Sequence, residues 1–349
     1  MNDDVLFPQV SVYVSIYNAS WERIRASLNS IILQKDIDFE IIIVDDCSEV
    51  NHSDKIKDFF SRNDFKNYTM INHEKNLGVI RTYLDAAEHA RAKYIRCLGQ
   101  GDMFSDEYAL RDSYNYMVST DSELTISKYV HFRANSNPIE IFESYRLPQN
   151  IEAYNSPDDL RESYLLHDDL APGATAMYRR DMFIQYMKEA IEGGLKCLED
   201  YMFRCMIFDK RRIKFFDRNV IFYEFGAGIT TTKNKENNPY NEVMLSDEFN
   251  MNTLLLKRCG TSPSDEFSKR LASRIHSKRK IRAEIEYRKS LKDRFGIAAV
   301  PVILARRLLR GAMIALGLEM KAEVPPEIEV IMTDTNVSTD FANLCMNRE

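Results

Sequence analysis

The six cysteines (Cys47, Cys97, Cys197, Cys205, Cys259 and Cys345) include no Cys-x-x-Cys pair, which excludes a zinc ribbon and a dithiol redox motif. No Gly-x-Gly-x-x-Gly follows the first apolar run, so a dinucleotide site is not indicated. A Gly-x-Ser-x-Gly elbow and a Cys-His nucleophile pair are missing as well. His73, His89 and His131 do not make a metal spacing and read as surface or satisfied core residues. The opening MNDDVLFPQV lacks a basic segment leading into an apolar run, so no secretory signal is expected, and scattered thiols fit a reducing cytoplasm. Internal repeats and long low-complexity tracts are absent. Positive charge is short overall: the net charge of -6 argues against nucleic acid as a partner.

What is present suits a large buried core. With 349 residues, 44% of them hydrophobic, the chain has the size of one large domain or two modest ones. Three apolar runs, Val10 to Tyr17, Phe39 to Val44 and Lys93 to Leu98, read as buried parallel strands. Helical spacing lies between them. Trp21, Ile24, Leu28 and Ile31 follow the candidate caps Asn18 and Ser20, and Leu77, Ile80, Leu84 and Ala87 repeat the pattern. This alternation predicts a doubly wound α/β sheet with helices on both faces, whose ligands bind beyond the carboxyl ends of the strands. Those ends carry Tyr17-Asn18, Asp45-Asp46-Cys47-Ser48 and Gly99-Gln100-Gly101-Asp102. Further on, ELTISKYV reads as a strand, NSNP as a polar segment, and Ser156 to Leu166 as a helix. IKFF and NVIFYE read as two short strands, and FGAGITTTKN as a loop.

The ordered set VSVYVSIYN, IIIVDDCS, NHEKNLG, KYIRCLGQGDMF and CLEDYMF, spread over roughly residues 8 to 230, resembles the inverting family 2 glycosyltransferases with the GT-A fold. The likeness is greatest to bacterial enzymes of surface-polysaccharide synthesis. It implies a Rossmann-like, mostly parallel sheet flanked by helices; residues 1–240 are then read as the catalytic domain, and the composition of the rest gives 241–320 as a helical, basic and amphipathic extension and 321–349 as a poorly ordered or loosely docked tail. It implies a nucleotide-sugar donor bound by Tyr17, Asn18, Asp45, Asp46, Asn76, Arg81 and Gly101. Asp46 would accept a hydrogen bond from the base, with Asp45 as the alternative contact, and Arg81 would meet a phosphate. A divalent metal, Mn or Mg, would bind Asp102, the single acid where the family holds two or three; Mg in particular commonly needs only one or two carboxylates beside phosphate and water. Gly101 would let the backbone approach the diphosphate. Asp200 would be the catalytic base, with Glu199 as orienting partner or second candidate. Several relatives place a metal-binding histidine near the loop after Glu224; here no histidine lies between His167 and His276, so either Glu224 substitutes or the metal lacks that ligand.

The C-terminal third adds a basic region. Lys269 to Arg310 holds fourteen Lys or Arg against three acids, and residues 265 to 294 read as one charged helix. Ile297 to Leu318 is long enough to span a bilayer, but Arg306, Arg307 and Arg310 would each cost about 2.5–3.5 kcal/mol at its centre, and Pro301 interrupts its start. The arginines share one arc of a helix, so the segment is expected to lie in a membrane interface beside anionic lipid, or else to pack on protein. Together these readings give a metal-dependent transferase adding one sugar to a lipid-linked oligosaccharide acceptor of O-antigen or capsule, peripheral on the cytoplasmic face of the cell membrane. A homo-oligomer is left open. The alternatives are a non-catalytic membrane-associated scaffold that binds nucleotide-sugar, and a nucleotidyltransferase, against which the want of a basic glycine-rich loop counts.

Overall fold

The central strands form where both neighbours are apolar. In β1 (Val10–Ile16) every residue but Ser15 is buried, and β1 pairs in parallel with β2 (Phe39–Asp45) on one side and β4 (Tyr94–Gly99) on the other. The computed structural model describes residues 7–134, 140–142, 148, 150–167, 169, 173–226, 240–295, 300–302, 304–305, 308 and 337–348. Within them the chain runs β1, α1 (Trp21–Ile32), β2, α2 (Ser53–Arg62), β3 (Tyr68–Asn72), α3 (Val79–His89) and β4. It continues through β5 (Met103–Phe104), α4 (Ala109–Ser119), β6 (Leu124–Arg133), β7 (Glu140–Phe142), α5 (Pro157–Leu160), β8 (Met177–Arg179) and α6 (Arg180–Glu192). It ends with α7 (Phe203–Phe208), β9 (Ile213–Glu224), α8 (Asn241–Thr261), α9 (Glu266–Phe295) and α10 (Thr339–Asn347).

The sheet order is β3-β2-β1-β4-β8-β6-β9-β5, with β7 on β6. The first four strands are parallel, β8 runs antiparallel to both neighbours, and β6 and β9 pair in parallel. One core cluster lies on each face. Ile24, Leu28 and Ile31 of α1, with residues of α2 and α4, cover Val10, Val12 and Val14. On the other face α3, α6 and α7 cover Tyr13, Ile42 and Ile95. Ser20 caps α1 by accepting from the Arg23 N–H, as its position predicts.

Several elements differ from expectation. β3 is a half-buried edge strand, so it shows no continuous apolar run. IKFF and NVIFYE are one strand, β9, whose register against β6 shifts between Ser127 and Tyr129 and so absorbs Asp217-Arg218. The helix expected over 156–166 begins as α5 and widens into π-helical turns from Arg161 to Leu166. α8 and the start of α9, which a boundary at residue 240 would detach, bury Met251, Leu255, Cys259, Leu271 and Ile275 in the same cluster as the sheet. The polar segment at 135–138, the loop from residue 227 and most of 297–318 lie outside the described residues.

The end of the chain departs most from a loose tail. Ser338 caps α10, and Phe341, Ala342 and Cys345 are buried in the α1-side cluster. Asn29 of α1 donates its amide to the carbonyls of Cys345 and Arg348 at 2.9 Å each, satisfying acceptors that a helix end leaves open. Phe341→Ala is expected to destabilise the protein by about 3 kcal/mol, read as a lower urea midpoint at unchanged slope; an unchanged midpoint would mean that α10 is not docked in solution.

Candidate active site

Two adjacent carboxylates end β2, and their different partners divide their work. Asp46 is buried and fully engaged by its own loop: its Oδ1 accepts from His73 Nδ1 and the Leu77 N–H, both at 2.8 Å, and its Oδ2 from the Gly78 N–H at 2.9 Å. The other His73 nitrogen lies 3.1 Å from Asp85. Asp46 therefore sets the shape of residues 73–78 and the start of α3. Asp45, also buried, accepts only the Ser48 N–H among the described residues, at 2.7 Å on Oδ1, and its second oxygen has no donor among them. The geometry thus favours the alternative contact, Asp45, over Asp46 for reading a base. Asn76 is exposed on the same loop. Arg81 points to solvent and pairs with Asp85 at 3.1 Å, so nothing in this arrangement directs it at a phosphate.

The β1 and β4 ends are joined by one side chain. Gln100 accepts from the Tyr17 N–H at 2.7 Å and donates to the Tyr17 carbonyl at 2.9 Å. Tyr17 keeps its ring at the surface, whereas Asn18, at φ 50°, spends its polar groups on the neighbouring loop through Ser48 and Glu49. Gly101 sits at φ 95° and donates its N–H to Ser27 at 2.9 Å. A Cβ there would come within 2.2 Å of Glu224 Oε2 and 2.8 Å of Arg23 Nε. The space beside Gly101 is occupied by an ion pair, Arg23 to Glu224 at 2.7 Å. Glu224 is accordingly an arginine partner, which corrects its expected role as a stand-in for a histidine ligand.

Asp102 is buried, with Oδ1 accepting the Glu224 N–H at 3.0 Å and Oδ2 lying against Gly99. Burial, first of all, pushes its carboxyl up to about 7; the hydrogen bond from Glu224 and the charges of Arg23 and Arg96 pull the other way. Arg96 is itself wholly buried: it donates to the Thr175 carbonyl, and burial lowers it to about 10. Among the described residues no group of three or more His, Cys, Asp or Glu could enclose a metal. A single under-compensated carboxylate does fit a hard cation that takes its remaining oxygens from a diphosphate and water.

Glu199 and Asp200 open a four-residue 3₁₀ turn, Glu199–Met202, ahead of α7. The turn tips Asp200 against Gly173, where an added Cβ would lie 2.7 Å from the Asp200 Cβ. Thr175 of that Gly173 turn is the acceptor of Arg96, so the wall behind Asp200 is tied to the strand that ends at Asp102. Burial raises both carboxyls above the ordinary range; the Asp200 charge adds to the effect on Glu199, and Arg204 opposes it at Asp200. The facing groups from neighbouring elements are Tyr13, Tyr83, Cys97, Tyr178, Cys197, Tyr201 and Asp247. Two adjacent acids in a poorly solvated turn each disfavour the other's ionisation, so the first proton of the pair is held more firmly than on a lone acid.

Arg96 and Gln100 stand inside KYIRCLGQGDMF, but sequence reading assigns neither a role, and Ser27 and Arg23 stand in no motif; only the fold shows what each of them holds. His73 was visible within NHEKNLG, but its partners were not.

An open α/β sheet with polar loops converging beyond its parallel strands is the frame of nucleotide-dependent enzymes. The fold matches a solved Staphylococcus aureus TarS structure, residues 1-349 in complex with UDP-GlcNAc, at a TM-score of 0.52 and 16% identity, over 77% of this chain and 71% of that one. A second TarS structure matches with a TM-score of 0.51 at 17% identity, over 77% of this chain and 43% of that one. These likenesses concern the fold, which is GT-A. Residues 11–187 match the family described as Glycosyl transferase family 2, and the chain belongs to that family. It is 32% identical over 140 residues to the poly(ribitol-phosphate) beta-N-acetylglucosaminyltransferase TarP of Staphylococcus aureus (strain N315), covering 39% of this chain and 41% of TarP. It is 30% identical over 145 residues to the uncharacterized glycosyltransferase MJ1057 of Methanocaldococcus jannaschii, covering 41% of this chain and 49% of that one. The chain thus spans less than half the length of the curated relatives it matches.

Two outcomes follow from the geometry. Gly101→Ala must both strain a left-handed backbone and displace Glu224, a cost of about 1–3 kcal/mol that thermal unfolding will show; an unaltered melting temperature would mean the ion pair is not seated there. The raised carboxyls set a pH dependence. Above the ordinary value of 4.5 the unfolded Glu199 has lost a proton that the folded one keeps, so stability falls as pH rises toward the folded value. Glu199→Gln removes this contribution, and its denaturation free energy should gain on wild type as pH rises from 4.5 to about 8; parallel curves would refute the shift.

Proposed function

We propose that this chain is an inverting glycosyltransferase that moves one sugar from a nucleotide-sugar donor to a hydroxyl of a lipid-linked saccharide, in the synthesis of a surface polysaccharide such as O-antigen or capsule. The observation that carries the reading is the tie between the two acids: Arg96 of β4, the strand that leads to Asp102, donates to the Thr175 carbonyl of the turn whose Gly173 packs against Asp200. Asp45 accepts a hydrogen bond from the base, on a loop shaped by Asp46, while Tyr17 and Asn18 border the nucleoside and Asn76 the loop's outer side. Gly101, whose side-chain space the Arg23–Glu224 pair fills, presents its backbone on the loop beside the diphosphate. Asp200 takes the proton of the acceptor hydroxyl as its oxygen attacks the anomeric carbon from the face opposite the diphosphate, and the bond to the diphosphate oxygen breaks. Glu199, its carboxyl raised by burial to about 8, stays protonated at neutral pH and so adds no negative charge beside Asp200. A divalent cation, Mn or Mg, bound at Asp102 would neutralise the leaving diphosphate.

A peripheral position on the cytoplasmic membrane face is supported by the basic α9 and by Val300, Val302, Leu304 and Leu308 after it, all exposed on helical backbone. No helix among the described residues is long and apolar enough to cross a membrane. The likeness to TarP supports a second acceptor class, a polyol-phosphate polymer, with N-acetylglucosamine as the sugar.

Thermal shifts with UDP, GDP and their sugars, with and without Mn, identify the donor; a ligand at a hundred times its dissociation constant adds about 2.7 kcal/mol. Asp200→Asn should abolish transfer and keep the shift, and Asp102→Ala should lose its Mn-dependent part. No shift with any nucleotide would favour the scaffold, and release of pyrophosphate would favour a nucleotidyltransferase. Incorporation into a lipid-linked saccharide or into poly(ribitol-phosphate) separates the two acceptors.

A further inference from the structure

The turn that bears Glu199 and Asp200 has no reason of its own to stay in place. It is four residues long, begins at Leu198, and has no side-chain cap. The three amides before it, from Lys196, Cys197 and Leu198, all donate to one carboxylate, Asp247 of α8, at 2.9, 2.7 and 2.9 Å. Asp247 is 0% exposed. Among the described residues no lysine or arginine forms an ion pair with it, so the three amides are what compensates its buried charge. An apolar residue would fill this place in the core at less cost. The negative charge serves the loop it grips.

That loop reaches further. The Lys196 carbonyl accepts the Ile80 N–H at 3.3 Å, and a Cβ on Gly78 would lie 2.9 Å from the same oxygen. Gly78 is also the residue whose amide Asp46 holds. Two buried carboxylates, Asp46 from β2 and Asp247 from α8, therefore grip two loops that touch each other. One loop borders the nucleotide and the other carries the base.

We infer that Asp247 is a positioning residue: through the amides of residues 196–198 it holds the Glu199-Asp200 turn in register with the loop at 73–78. This rests on the reading of Asp200 as base, and it assigns a task to α8, which lies outside the span matched to the family at 11–187. Asp247→Asn keeps the shape but puts an amide donor against at least one of the three N–H groups.

Hydrogen exchange on the full chain, without ligand, tests the grip. Asp247→Asn should lose protection at residues 196–202 and at Ile80, while the β1 and β2 amides keep theirs. Leu255→Ala, which opens a cavity under the same helix, serves as the control for simple destabilisation and should leave that pattern intact. With the nucleotide sugar identified by thermal shift, Asp247→Asn should lower kcat roughly 10- to 100-fold, with donor KM unchanged. Unchanged protection at 196–198, or the same pattern and the same kcat loss in Leu255→Ala, would overturn the inference. Full activity in Asp200→Asn would overturn the underlying assignment of the base and leave the exchange result standing.

Discussion

The site hangs on the register of β1. Pairing in parallel with β2 puts Ile16 opposite Asp45, and pairing with β4 puts Ser15 opposite Gly99, so two chemically different loops emerge side by side. A slip of one residue would turn every side chain of β1 to the other face and bury its polar neighbours. Both faces are sealed by separate apolar clusters, which makes that slip costly on each side. The Gln100 clamp on the Tyr17 backbone then joins the two ends directly. The loops that follow β1, β2 and β4 are thus fixed relative to one another by main-chain pairing.

Around this frame the acids act in two ways. Some, like Asp45 and Asp102, are buried but keep one oxygen without a donor among the described residues. Others, like Asp46 and Asp247, turn inward and spend their charge on backbone amides, fixing loops that lack regular structure. Preorganisation of this kind moves the energetic cost of ordering from the binding step to folding. Gly99 and Gly101 belong to the same economy of space: the volumes their side chains would fill are taken by Asp102 and by the Arg23–Glu224 pair.

Much of this frame was legible in the sequence, for a physical reason. Strands buried on both faces leave unbroken apolar runs, and β1, β2 and β4 did. β3 and β8 did not, the first being a half-exposed edge and the second only three residues long. Asp102 and Asp200 are picked out by the likeness of KYIRCLGQGDMF and CLEDYMF to the family's motifs, and their roles remain part of the proposal. The division of work between Asp45 and Asp46 could not be read this way, because neighbours in a strand point to opposite faces and only the folded loop shows which one is spent. Asp247 left no trace: its partners lie 49 to 51 residues away, and its helix carries no motif.

The docking of α10 on α1 has a consequence for how the protein is made. Asn29 and Cys345 are separated by 316 residues, so α1 leaves the ribosome long before the helix that covers it. At about 5–20 residues per second, that interval is roughly 15–60 s. Through it the outer apolar stripe of α1 stays open beside a nearly complete core, and the sheet can close on its α3 side first. Each face of the sheet is thus completed by a late helix, the α3 side by α8 and α9 and the α1 side, last of all, by α10.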